Sequence, residues 1–233
     1  MCIRDRLWTA HDPTTSLCFS GANLIPLLGA PGDLDYFADR AIAAPRLCSS
    51  IVGRAELVMP MWDQLEPAWG PAREVRSVQP LLALPGPPEV AADPGVRMVT
   101  IDDLDVYLPA AIDMFIGEVG VDPTAGDGGR SYRRRLASLI NAQRVFARFD
   151  DGRVVFKAEI GSLSRRVGQI QGVWVAPDRR GEGLGIAGTA AVAQAVKSHG
   201  RIPSLYVNSF NLTARAAYER VGFTEVCLLY TSP

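Results

Sequence analysis

The chain has 233 residues, 48% of them hydrophobic, with a formal net charge of −1 and four cysteines. That length holds one large or two small domains. The charge balance excludes a general polyanion binder, which needs a basic excess, so no nucleic-acid partner is expected.

No apolar run approaches the ~20 residues of a membrane span, so no membrane partner is expected, and the first residues lack the apolar core of a signal peptide. Cys2, Cys18, Cys48 and Cys227 have no metal-ligand spacing and read as reduced thiols. No metal and a cytoplasmic location are therefore expected. The ends, MCIRDR and LLYTSP, resemble translated sequencing-adaptor read-through. Residues 1–6 and about 227–233 are accordingly expected to be non-native, with the last strand missing or replaced.

Residues 17–28 (LCFSGANLIPLL) read as a strand followed by an apolar turn or second short strand. Residues 33–44 fit a helix, because Leu34, Phe37, Ala38 and Ala41 recur at helical spacing, and Pro45 stops it. Residues 49–53 read as a short strand. A second helix is expected over 54–69, carrying Leu57, Val58, Met61, Trp62 and Leu65, with one of Pro60 and Pro67 bending it and the other ending it. Residues 73–84 alternate as a strand does. The order β-α-β-α-β predicts a small α/β layer over 7–88. The proline-rich stretch 85–95 reads as a linker.

A second domain is expected over 96–233. It opens with a strand at 96–101, and Asp102 is placed to cap a helix over 104–119. GDGG at 126–129 is a flexible turn. Residues 131–141 form a basic helix whose arginines read as a solvated face. Residues 144–149 and 154–164 flank an Asp-Gly turn and read as a hairpin. A strand over 169–175 is ended by Pro177. A small-residue helix runs over 186–199, with Gly200 where a helix-terminating glycine belongs. A strand at 204–208, a helix at 211–221 and a strand from Phe223 close the chain.

The stretch 169–200 organises this second part. A strand feeding a Gly-rich turn that opens a helix can bind an anion on unpaired N–H groups at the positive end of the helix dipole. Arg179 and Arg180 are expected to add charge-assisted donors. No Lys-Ser/Thr follows the last glycine, so a P-loop is excluded, and the spacing is not that of a dinucleotide fold. What stands here is Arg180-x-x-Gly183-x-Gly185 after Val173-x-Val175-x-Pro177. Further on come Asn208, Asn211, Tyr218 and Gly222-Phe223. These blocks resemble the acetyl-CoA signature and the following strand and helix of the GNAT N-acetyltransferase superfamily, over residues 96–226. SLCFSGANLIPL, SSIVG and WGPAREVRSVQPLL resemble an actinobacterial group of GNAT proteins with a domain of unknown function ahead of the acetyltransferase domain.

The resemblance implies a mixed α/β fold, with a GNAT acyl-CoA N-acyltransferase domain behind a small α/β domain that is a candidate degenerate half of the same kind. It implies transfer of an acetyl group from acetyl-CoA to an amine by direct attack on the thioester. The alternative is an acyl-CoA-binding regulatory or interaction module with weak catalysis. The pyrophosphate is expected on the N–H groups of Arg180, Gly181, Glu182, Gly183, Leu184, Gly185 and Ile186. The pantetheine arm is expected along Val173, Trp174 and Val175, with Asn208 and Asn211 as further cofactor contacts. Tyr218 is the expected general acid, since a phenol is matched to a thiolate leaving group. Gln169 and Gln171 stand where some relatives have a Glu and cannot accept a proton. His11 and His199 are poorly placed; Glu159, acting through water, and Glu118 are the candidate bases, and a water chain or an acceptor already neutral would need no dedicated base. The acceptor amine and the oligomeric state are not readable.

Overall fold

A computed structural model describes residues 6–21 and 23–232. Cys2 and residues 1–5 of the MCIRDR segment lie outside the described residues. In chain order the elements are β1 (Leu7–Trp8), β2 (Leu17–Ser20), β3 (Asn23–Leu28), α1 (Pro31–Ala43), β4 (Ser50–Gly53), α2 (Ala55–Trp69) and β5 (Arg76–Ala83). They continue with β6 (Val96–Met98), α3 (Leu104–Val119), α4 (Arg130–Asn141), β7 (Val145–Asp150), β8 (Arg153–Leu163), β9 (Val167–Val175), α5 (Leu184–Ser198), β10 (Ile202–Tyr206), α6 (Leu212–Val221) and β11 (Thr224–Ser232).

The chain divides into two compact units, and the boundary falls between Leu81 and Leu82, close to the expected linker. The first unit also takes in Tyr206–Phe210 and the residues from Val226 on, and the second holds Leu82–Leu205 and Asn211–Glu225. The two units are therefore not consecutive stretches of sequence.

In the first unit the strands run β1-β2-β3-β4-β11-β5. Residues 17–28 resolve into an antiparallel hairpin with Phe19 opposite Ile25, and β3 then pairs parallel with β4. α1 begins on Pro31, with Asp33 accepting from the Ala30 N–H at 2.9 Å. Its buried face is Leu34, Phe37, Ala38 and Ala41, the spacing read from the sequence. α2 buries Leu57, Val58, Met61, Trp62 and Leu65 and contains both prolines. Pro67 does not end the helix. It ends at Gly70, whose N–H donates to Glu66 O at 2.8 Å. The apolar faces of α1 and α2 make one core with Cys18, Leu24 and Ile51. The final strand of the chain, β11, pairs antiparallel with β4, with Thr231 opposite Val52.

In the second unit the strands run β10-β9-β8-β7-β6. β6 to β9 are an antiparallel meander, and β10 joins β9 in parallel. Asp151 and Gly152, at φ of 49° and 73°, make the tight turn expected between β7 and β8. α3 and α4 cover one face, burying Tyr107, Ala111, Tyr132, Leu136 and Ile140 against Val145, Ala147 and Val154. The start of α3 differs from expectation. Asp103, not Asp102, accepts from the Thr100 N–H at 2.8 Å, and the same carboxylate takes a bidentate pair from Arg97. Small residues let α5 approach β8 closely, so that a Cβ on Gly188 would stand 2.6 Å from the Phe156 ring.

Candidate acyl-transfer site

β9 is paired differently along its two edges. Toward β10 the parallel ladder runs only from Val167 opposite Ile202 to Gln169 opposite Ser204. β9 continues to Val175, so among the described residues its last turn of strand has no ladder partner on that side. Toward β8, Glu159 faces Gln171 and Lys157 faces Trp174, so the single residue Ala158 is opposed by Gly172 and Val173. This is a β-bulge, which bends a strand and re-aims its N–H groups. Gly172 has φ of +57°, a conformation that favours glycine. On the side away from β8 the main chain of Val173, Trp174 and Val175 has no strand partner, so an extended ligand can be accepted there as an added strand is. Their side chains are half-buried, and the Trp174 indole donates to Asp113 at 2.9 Å.

β9 leads through a short helical turn, Pro177–Arg179, into the N-terminus of α5. Gly183 caps α5 with φ of +82°, and a Cβ there would have no protein atom within 4 Å. The space above the cap is thus open for a ligand. Ile186 and Ala187 donate their N–H groups to Gly183 O, both at 3.0 Å. The expected phosphate-binding set therefore narrows: the Ile186 N–H is used inside the first turn. Gly181, Glu182, Gly183, Leu184 and Gly185 make no such bond among the described residues and retain donors at the positive end of the helix.

The arginines divide. Arg179 is held by Asp150 at 2.7 Å and Glu182 at 2.8 Å, so it is not the free phosphate donor expected from sequence, and the Glu182 side chain faces it rather than a ligand. Arg153 and Asp178 form a second pair on the same loop. Arg180 is exposed, its Nε 3.4 Å from Val175 O, and it has no carboxylate partner among the described residues.

Tyr218 lies on α6, 8% exposed, with its ring edge-on to Phe223 at 6.2 Å. Burial, with the Glu118 carboxylate adding to it, pushes the phenol well above its ordinary range. Its hydroxyl has no hydrogen-bond partner among the described residues. Asn211 caps the same helix, its Oδ1 accepting from Ala214 N–H at 3.1 Å, which leaves its amide nitrogen for another partner. Asn208 falls in the first unit, where its Oδ1 accepts from Gln79 at 2.6 Å.

Glu159 is fully buried. It accepts from Lys157 Nζ at 3.0 Å, from the Tyr107 hydroxyl at 3.1 Å and from Gln171 Nε2 at 3.5 Å, with Arg135 at 3.8 Å. Burial alone would raise its carboxyl, but the Lys157 and Arg135 charges outweigh this and hold it below the ordinary range. A carboxylate so occupied is a poor proton acceptor. Arg135 reaches Glu159 and so is not part of the purely solvated face expected for α4. Lys157 and Tyr107 were not singled out from sequence. The signal was present in VVFKAEIG: two charges two residues apart in an apolar strand lie on the same face. Glu118, exposed near the end of α3, is close enough for its charge to act on Lys157, Tyr132 and Tyr218. Among the described residues no three His, Cys, Asp or Glu side chains group to hold a metal. No helix there is long and apolar enough to cross a membrane.

The sequence matches two families, the domain of unknown function DUF4081 over residues 5–107 and the FR47-like proteins over 155–230. No match is found among curated proteins. Solved structures resemble the chain over most of its length. A GNAT-family acetyltransferase from Colwellia psychrerythraea has a TM-score of 0.62 at 10% identity, covering 94% of this chain and 80% of its own. A putative GNAT-family acetyltransferase from Novosphingobium aromaticivorans has 0.59 at 17% identity, with 91% and 83% covered. A GCN5-related N-acetyltransferase from Kribbella flavida has 0.57 at 18% identity, with 93% and 86% covered. The fold is that of the GNAT N-acetyltransferases. More particularly, the chain carries a DUF4081 region ahead of an FR47-like, GNAT-related part, as the resemblance implied.

Proposed function

We propose that the protein is an acetyl-CoA-dependent N-acetyltransferase that moves an acetyl group to a primary amine by direct attack on the thioester. The observation that carries this reading is the unpaired edge of β9 running into the donor-rich cap of α5. A ligand with a strand-like amide arm and a pyrophosphate fits that sequence of features. The arm pairs with residues 173–175, and the pyrophosphate takes the N–H groups of residues 181–185 and the Arg180 guanidinium. The Val173 N–H, re-aimed by the bulge, faces the thioester oxygen. As the amine nitrogen bonds to the carbonyl carbon, the π pair moves to that oxygen, and a fixed donor there lowers the barrier. Collapse breaks the C–S bond, and Tyr218 gives its proton to the thiolate.

Glu118 is the better proton acceptor for the incoming amine in this reading. It is exposed and its charge reaches Tyr218, while Glu159 is fully buried and accepts from Lys157, Tyr107 and Gln171. Asn211 contributes its free amide nitrogen to the cofactor arm. Hydrogen exchange with and without acetyl-CoA tests the assignment. Protection is expected at the amides of residues 173–175 and 181–185, with none at β2 and β3. Protection absent from β9 would refute the reading.

A further inference from the structure

We propose that Lys157 is a positioning residue of the acyl site, a buried cation fixed beneath the β9 bulge that favours negative charge on the acyl carbonyl oxygen. The proposal rests on the acyl-transfer reading above. Lys157 and Glu159 stand on the face of β8 covered by α3, and their side chains are 0% and 1% exposed. A buried ion survives only when the fold compensates it. Here the compensation is unequal. Glu159 is flanked by two cations, Lys157 at 3.0 Å and Arg135 at 3.8 Å, and also accepts from Tyr107 and Gln171. Three donors thus converge on Glu159, and the exposed Glu118 carboxylate also acts on Lys157; burial lowers the Lys157 ammonium from its ordinary value, and the Glu159 and Glu118 charges oppose that shift and favour the cation.

The ammonium is the under-satisfied member. It has three N–H donors, and Glu159 is its one hydrogen-bond acceptor among the described residues. The Tyr107 ring, 5.4 Å away, offers only its π face. Lys157 Nζ points at the bulge: a Cβ on Gly172 would lie 3.3 Å from it. Met114 on α3 closes the other side, 3.1 Å from the same point. Covalent geometry then puts the ammonium within about 7 Å of the Val173 N–H. The cation thus acts in two ways. It occupies the space that a side chain at position 172 would need, which confines the bulge position to glycine. It also adds a positive field in a water-poor interior where the carbonyl oxygen gains charge. No bond to Lys157 forms or breaks. The electron pair moves from the carbonyl π bond to oxygen and returns as the thiolate leaves.

The test needs no acceptor amine. Binding of acetyl-CoA is compared with that of S-carboxymethyl-CoA, a thioether whose carboxylate holds a fixed negative charge at the acyl position. Wild type is expected to favour the carboxymethyl compound by roughly tenfold, the scale of a screened charge pair at this separation. Lys157→Met should lose that preference while binding acetyl-CoA within about twofold of wild type. Arg135→Gln, which removes the same charge from a more exposed site, should keep most of it. If Lys157→Met does not fold, Lys157→Met/Glu159→Leu removes both buried charges and gives the same comparison. A folded Lys157 variant that keeps the preference, or that loses affinity for both compounds equally, overturns the proposal. Wild type that binds acetyl-CoA without preferring the carboxymethyl compound overturns it too, and leaves the acyl-transfer reading standing. Wild type that binds neither removes both.

Discussion

Gly183 offers a separation of backbone effect from ligand effect. Its φ of +82° is unfavourable for any side chain, yet a Cβ there meets no protein atom within 4 Å. Gly183→Ala should therefore cost only the left-handed conformation, about 1–2 kcal/mol. Gly183→Asp carries a similar or smaller backbone cost, because Asp tolerates that region better than Ala. The two variants should thus melt within a few degrees of each other. Their affinities for acetyl-CoA should differ. A carboxylate about 5 Å from a phosphate charge costs roughly 1–3 kcal/mol between the water and partly screened limits, a loss of about fivefold to about 150-fold. Calorimetric titration at two salt concentrations reads this directly. The Gly183→Asp deficit should shrink as salt rises, and the Gly183→Ala value should change less. A Gly183→Asp protein that binds acetyl-CoA as tightly as wild type would refute the phosphate assignment of this loop.

Other perturbations address the remaining parts. Tyr218→Phe should bind acetyl-CoA normally but release free thiol about 10²- to 10⁴-fold more slowly, the span typical of a lost general acid; full turnover would remove that role. Because burial and Glu118 raise the Tyr218 phenol, the activity it supports should not fall as pH rises through about 10, the ordinary tyrosine value. Asn211→Ala removes the α6 cap and should lower stability by about 1 kcal/mol, seen as a drop in Tm; an unchanged Tm would show the cap to be idle. In the first unit, burial pushes the Cys18 thiol up to about 12. Unfolded, that thiol ionises near 8.5, so the stability it contributes is complete below about pH 8.5 and is lost as pH rises toward 12. Iodoacetamide at pH 8 should label half-buried Cys48 well before Cys18; equal rates would contradict the burial.

Local pattern made the helices readable. Leu34, Phe37, Ala38 and Ala41 are spaced for one helix face and bury that face. Asn211 opens the helix expected over 211–221 and caps it. The Asp-Gly pair between β7 and β8 demands a tight turn whatever surrounds it. Features set by partners distant in sequence were not readable. Nothing near Asn208 signals that residues 206–210 fold with the first unit, since what ties them there is the pairing of the Val207 and Ser209 N–H groups with the distant Pro80 and Val78 carbonyls. Pro67 lacks a helix-ending effect because Gly70 supplies the end, three residues on. Arg179 shares a loop and a charge with Arg180, and its pairing with Asp150 at the end of β7 and with Glu182 tells them apart. Glu159 was legible as a carboxylate near the site. Its engagement depends on Tyr107 and Arg135, which reach it from helices 52 and 24 residues away in sequence.

The most direct measurement is a calorimetric titration of acetyl-CoA, with desulfo-CoA and ATP as comparators. The account predicts saturable binding of acetyl-CoA, weaker binding of ATP, which has phosphates but no arm to pair with β9, and weakened acetyl-CoA binding in Gly183→Asp. A folded protein that binds no acetyl-CoA, or binds ATP equally well, would contradict it.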